Sequence, residues 1–162
     1  MEIWELVDSD GHPTGALYER GSKKPIPEGL HFRVVEVWTI IGDKLLITQR
    51  HPSKWMGLKW EVSGGGVVLG EKIREAAVRE LFEETGIKAW QNEISELGVM
   101  KFGVAMVYSF VLRLDNVPPL DFDSNEVVDY KIVTREEFEE MKDDFNHGTW
   151  SRYLKYGNII FN

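Results

Sequence analysis

Three glutamates, Glu80, Glu83 and Glu84, stand within one helical repeat on the segment Glu71 to Thr85, EKIREAAVRELFEET. At about 100° per residue, the apolar stripe of that segment is Ile73, Ala76, Ala77 and Leu81, and the three glutamates fall on its side of the wheel. An ordinary surface helix would turn them away from that stripe. Their spacing also makes like-charge neighbours one turn apart, each costing the helix about 0.2–0.5 kcal/mol. Arg79 can pair with Glu83 one turn on, but one guanidinium does not neutralise three carboxylates. A divalent ion does, and oxygen ligands without His or Cys suit a hard ion such as Mg²⁺ or Mn²⁺. A charge-rich helix facing solvent along a sheet edge has the same register, so the wheel alone leaves both readings open.

The elements that must position these glutamates are legible around them. The helix has no internal Gly or Pro and is stopped by Gly86. Before it, Ile3 to Val7 and Gly15 to Arg20 read as strands about the turn cluster Asp8 to Gly11, an N-terminal hairpin of about residues 1–28 that ends in the irregular Gly21 to Gly29. Arg33 to Ile41 and Leu45 to Arg50 form a second hairpin about Gly42-Asp43. His51 to Trp60 is a polar and aromatic loop leading to Gly64-Gly65-Gly66, where no regular element is expected. Strands follow at Ile94 to Phe102, Ala105 to Leu114 and Val127 to Val133. Thr134 to Glu137 has capping-box spacing for a helix running to about Asp143, and Thr149 to Tyr156 reads as a short last helix. No repeat or linker divides the chain, so residues 1–162 are expected to form one layered α/β or α+β domain with a mixed sheet.

Composition sets limits on partners. The 162 residues carry 27 acidic and 19 basic side chains, a formal charge of −8, and no cysteine. Disulfides, thiolate metal sites and cysteine nucleophiles are thereby excluded. The acidic balance argues against a stable nucleic-acid partner, which wants a basic surface. No apolar run approaches the roughly 20 residues of a membrane helix, and the acidic start MEIWELVDSD is unlike a secretory signal, so a cytoplasmic protein without membrane contact is expected.

Reading outward from the glutamates, GGVVLGEKIREAAVRELFEETGI, Gly65 to Ile87, resembles the Nudix box, G-x5-E-x7-R-E-U-x-E-E-x-G-U with U a bulky aliphatic, at every defined position. The chain is identified on that box as a member of the Nudix hydrolase superfamily. The resemblance implies an α/β/α sandwich, here with the N-terminal hairpin as an extension, and hydrolysis of the phosphoanhydride of a small diphosphate by water with Mg²⁺ or Mn²⁺. It implies metal ligands at Glu80, Glu83, Glu84 and the Gly65 carbonyl. Arg79 would hold Glu83, and Glu71 would support the glycine loop and helix start. Glu126, in the loop before the last strand, matches a further carboxylate of many members. The general base is expected at Glu84 or Glu126, then Glu83.

WELVDSDGHPTG, Arg20-Gly21 and LHFRVVEVW are similar to Nudix proteins related to isopentenyl diphosphate isomerase. Those isomerases carry a reactive cysteine shortly after the tryptophan matching Trp60, where this chain has Glu61-Val62-Ser63, so hydrolysis is favoured over isomerisation. A metabolite-sensing module is the non-catalytic alternative, and the intact carboxylates argue against it. His31 matches a metal-binding histidine of the isomerases, although a strand-start histidine bonded through its backbone is the favoured reading. For the substrate, Arg50, Lys54 and Lys59 flank the loop that would approach the phosphates, and Trp38, Trp55, Phe32 and Tyr108 are candidates to stack on a base, with core packing favoured for Trp38 and Tyr108. Trp150, Tyr153, Tyr156 and Phe161 either close the core or form a homodimer contact.

Overall fold

The computed structural model describes residues 1–162. An N-terminal hairpin of β1 (Ile3–Val7) and β2 (Pro13–Glu19) is followed by β3 (Phe32–Ile41), β4 (Lys44–Arg50), β5 (Trp60–Glu61) and β6 (Ser63–Gly66). Helix α1 (Ile73–Thr85), β7 (Ile94–Phe102), β8 (Ala105–Leu114) and β9 (Val127–Val133) come next. Helix α2 (Arg135–Glu140), a 3₁₀ turn at Lys142–Asp144 and α3 (His147–Ile160) complete the chain.

The main sheet runs β5-β4-β3-β8-β7, with β6 also on β3 and β9 also on β4. Only β3 and β8 pair parallel, from Phe32 against Ala105 to Ile41 against Leu114. On its other edge β3 changes partner. Ile40 and Ile41 meet β4 beside the Gly42-Asp43 turn, whereas Val34 to Val37 meet β6. The sheet therefore splays between β4 and β6.

Strand alternation sends the two faces of β3 to two cores. Val35, Val37 and Ile41 pack with Ala76, Ala77 and Leu81 of α1 and with Phe110 and Leu112. Trp38 and Ile40 pack on the opposite face with Phe138, Tyr153, Tyr156 and Ile160. The result is the expected mixed sheet between helical layers, with the hairpin as an extension. The hairpin is docked by Trp4, which stacks on Phe32 at 4.5 Å, and by the Leu69 N–H, which donates to the Ile3 carbonyl at 2.8 Å.

Three expectations are corrected. The glycine triplet lies in β6, paired with β3. It can do so because glycine allows close approach: a Cβ on Gly64 would stand 2.4 Å from the Val35 carbonyl oxygen. Helix α1 begins at Ile73, since the Glu71 carboxylate is turned to Arg79 and to the Val68 N–H. Helix α3 is longer than expected, beginning at His147 behind an Asn146 cap that accepts from the Thr149 N–H at 2.8 Å. Its aromatics close the core: Tyr153 and Tyr156 are buried there, and Trp150 and Phe161 pack against them.

Candidate active site

A cleft of about 210 Å³ opens where β6 meets α1. It is lined by the carboxylates of Glu2, Glu80, Glu83, Glu84, Asp123 and Glu126, the guanidiniums of Arg20, Arg50 and Arg79, and by Gly64, Gly65 and Val68. The sequence places the four box positions there by local geometry. Helix α1 packs its apolar stripe on β3, and β6 runs alongside, so glutamates sharing that side of the helix face the glycine backbone. Gly65 stands directly against Glu80: a Cβ on it would be 2.3–2.5 Å from the Glu80 carboxyl atoms. The loop after β8 delivers Asp123 and Glu126, and the N-terminal hairpin delivers Glu2. The N–H groups of Asp121 and Asp123 donate to the carbonyls of Thr85 and Glu84 at 2.8 and 3.4 Å, tying that loop to the end of α1.

Arg79 organises the cleft wall. It donates to Glu71 through Nε and Nη2 at 2.7 and 2.9 Å, to Glu80 at 2.7 Å, to Glu83 at 3.1 Å and to the Gly66 carbonyl at 3.1 Å. Such forked, charge-assisted bonds fix carboxylate orientation. Glu71 in turn accepts from the Val68 N–H at 3.2 Å, joining the glycine strand to the helix start.

Glu84 differs from its neighbours. It is 8% exposed, and its buried Oε2 has no hydrogen-bond partner. Burial pushes its carboxyl well above the usual range, and the charges of Glu61, Glu80 and Glu126 push it the same way, with the Gly64 N–H a partial offset. Burial also raises Glu80, against the pull of Arg79. Glu83 is exposed at the rim. An orphaned buried carboxylate oxygen, surrounded by oxygen donors and held against a glycine backbone, fits a hard divalent cation.

The other candidates divide. Glu126 lines the cleft and its carboxylate is paired with Lys54. Arg50 lines the cleft and also an adjoining pocket, donating through Nη1 to Glu61 at 2.8 and 3.0 Å and through Nε to the Trp55 carbonyl at 3.0 Å. Phe32 and Trp55 line that pocket as well. Trp38 does not: it is fully buried in the core, its indole donating to Glu36 at 2.8 Å, so no substrate reaches it. Tyr108 meets Met106 under the hairpin, and Lys59 donates to the Asp143 carbonyl at 2.8 Å, away from the cleft. His31 pairs with Val7 through its backbone, with both bonds at 2.9 Å.

Sequence reasoning misses Glu2 and Asp123 and reads Arg20 only as part of a resemblance. Glu2 and Arg20 form an ion pair at 2.8 Å at the open end of the hairpin. Only strand pairing of Ile3 with Glu19 brings them together, which no local pattern announces. Glu61 is also missed. Half-buried beside the cleft, it has its carboxyl pushed up to about 7 by desolvation, against the opposing charge of Arg50.

Residues 30–154 match the family model described as the NUDIX domain. The chain is 32% identical to an uncharacterized Nudix hydrolase of Listeria monocytogenes, over all of this chain and 95% of that one. A stretch of 34 residues is 63% identical to the RNA pyrophosphohydrolase of Cereibacter sphaeroides, 21% of either chain. Among solved structures, a Deinococcus radiodurans protein superposes with a TM-score of 0.71 at 25% identity, covering 85% of this chain and 86% of that one. A bifunctional NMN adenylyltransferase/ADP ribose pyrophosphatase of Francisella tularensis, complexed with AMP and a Mn ion, has the same fold at TM-score 0.70 and 20% identity, covering 85% of this chain and 44% of that one.

Proposed function

The chain belongs to the Nudix family of hydrolases and is a pyrophosphohydrolase of small diphosphate-containing molecules; from that premise we propose that its substrate is a nucleoside diphosphate derivative and that Mg²⁺ or Mn²⁺ serves the reaction. The observation that carries this reading is the unpartnered, buried Oε2 of Glu84 in a cleft lined by six carboxylates. Glu80, Glu83, Glu84, Glu126 and the Gly65 carbonyl would hold the ion. When bound, it neutralises the diphosphate oxygens and so lowers the repulsion met by attacking water.

The remaining chemistry belongs to the side chains. Glu84, whose Oε2 has no partner in the protein, accepts the proton of the attacking water, and Glu126 is the second candidate base. Attack at phosphorus forms one P–O bond and breaks the anhydride bond, and both product phosphates leave. Arg79 is a positioning residue that holds Glu80 and Glu83. Arg50 and Arg20 face the same cleft and are the cations available to the phosphates, with Lys54 joining them when Glu126 is drawn off. The relative acting on RNA matches over only 34 residues, and a net charge of −8 favours a free small molecule over a polynucleotide. We read the protein as cytoplasmic; a homodimer remains a proposal for solution measurement.

The resemblance of the N-terminal third to isomerase-related proteins supplies the second reading, against which the absence of cysteine weighs. Incubation with nucleotide sugars, dinucleotides, coenzyme A and prenyl diphosphates in Mg²⁺ or Mn²⁺, with products read by mass in ¹⁸O-water, separates the cases. The expected result is release of a nucleoside monophosphate and a second phosphate, one of them labelled. Prenyl conversion without release would identify an isomerase, and tight binding without turnover a sensor.

A further inference from the structure

We propose that the pocket adjoining the cleft receives a planar base with a keto oxygen at pyrimidine C4 or purine C6 and that Arg152 donates to that oxygen, an inference that rests on the hydrolase reading and names the substrate class within it. The pocket encloses about 640 Å³, a size suited to one nucleoside, and shares Arg50 with the cleft. Its walls are apolar and aromatic, including Phe32, Trp55, Phe102 and Val104. Trp55 is 78% exposed and carried on a loop whose Met56 and Leu58 are held at φ of 55° and 65°, a left-handed conformation of the kind that recurs at ligand clamps.

The polar floor consists of donors. Arg152, in the second turn of α3, is 8% exposed and lines the pocket. Its Nε stands 2.6 Å from Glu36 Oε2 but is misaligned for a hydrogen bond, and it has no other acceptor. The N–H groups of His147 and Gly148, also lining the pocket, open the same helix; the Asn146 side chain accepts from Thr149 and leaves both free. Of the nearby acceptors, Glu36 Oε2 lies against Arg152 Nε and the others are already engaged. Glu36 Oε1 receives Trp38 Nε1 at 2.8 Å and Ser109 Oγ at 2.7 Å. The Glu61 oxygens receive Arg50 and Asn146. With Arg152 neutralised by Glu36, the floor offers hydrogen-bond donors without excess charge, which suits a neutral carbonyl oxygen. A base with an exocyclic amino group would set N–H against N–H, and a prenyl chain would leave the buried donors unpaired. Sites built this way reject the wrong analogue strongly.

Nucleotide pairs that exchange this keto group for an amino group, the adjacent ring nitrogen changing from donor to acceptor with it, test the assignment without requiring turnover: UMP against CMP, and IMP against AMP, titrated calorimetrically into the full chain in Mg²⁺ buffer. The expected result is at least about tenfold tighter binding of the keto member of each pair. The double variant Arg152→Leu, Glu36→Gln removes both charges together, leaving neither buried alone. It is expected to reduce the ratio to below about twofold while thermal unfolding stays cooperative. Arg152→Lys, with its different donor geometry, is expected to fall between the two and decides the matter if the double variant does not fold. Equal affinities within each pair, a preference for the amino member, or a ratio unchanged in the variants overturns the proposal. Hydrolysis of UDP- and CDP-linked sugars, followed in parallel, separates the two levels. Turnover of both at equal kcat/KM removes the base assignment and leaves the hydrolase. No turnover, with UMP still preferred, removes the hydrolase and leaves the base site.

Discussion

At Glu84 the interests of folding and chemistry diverge. A carboxylate that is 8% exposed with an unpartnered oxygen is costly to keep ionised, and the nearby charges of Glu61, Glu80 and Glu126 add to the cost. Glu84→Gln is therefore expected to lower kcat by about a hundredfold or more while the metal-free protein melts at the same temperature or a few degrees higher at pH 8. Loss of cooperative melting would contradict the assignment. Arg79→Ala should do the opposite, lowering stability by about 2–4 kcal/mol in denaturant titration, because it frees Glu71, Glu80 and Glu83 from one shared partner. The glutamates were legible because helical spacing is local: once α1 is recognised, their side of the helix follows. Trp38 was legible only as a preference for the core, since strand alternation separates two faces without saying which of them a ligand reaches. Arg152 was illegible for another reason. Its partner Glu36 lies on a distant strand, and only the packing of α3 over β3 makes the pair.

Among the elements, β6 carries the sharpest contrast between neighbours. A Cβ at Gly64 collides with the Val35 carbonyl oxygen at 2.4 Å, which is backbone, whereas one at Gly65 meets the end of the Glu80 side chain at 2.3 Å, which can rotate away. Gly64→Ala is thus expected to destabilise the fold by about 2 kcal/mol or more. Gly65→Ala should leave melting nearly unchanged while weakening divalent-ion binding about ten- to a hundredfold by displacing Glu80. Comparing the two variants by calorimetry and by melting checks both. A strand made of Ser-Gly-Gly-Gly defeats propensity reasoning because its fitness for the sheet lies in what it lacks, the side chains that would hold β3 at a distance. The long helices and the β3–β4 turn, by contrast, announce themselves through period, caps and turn residues.

For the whole molecule, buried acids with raised pKa values reverse the usual dependence of stability on pH. Glu61, raised to about 7, and Glu84, raised well above the usual carboxyl range, hold protons in the folded state that the unfolded chain, with ordinary carboxyls near 4.5, has released. Between those limits the folded state binds more protons than the unfolded one, so stability falls as pH rises, by up to about 1.4 kcal/mol per pH unit for each proton held. Their contribution is complete below about pH 4.5 and is lost through pH 7 and above for Glu61. Metal-free protein should therefore melt higher at pH 6 than at pH 8, and added Mg²⁺ should raise the melting temperature more at pH 8, where it no longer competes with protons. A metal-free melting temperature that rises from pH 6 to pH 8 would contradict this.

The placement of β3 has a consequence for how the molecule comes apart. Its residues are paired with β8 along the full strand, and on the other edge Val34 to Val37 pair with β6 and Ile40 and Ile41 with β4. Hydrogen exchange should accordingly find its amides among the last to open, while the two-stranded hairpin, which contributes only Glu2 and Arg20 to the cleft, exchanges through local fluctuations. The Gly65 backbone lies against that slow-opening strand, so the acidic cradle should persist through excursions in which the hairpin has already lifted away.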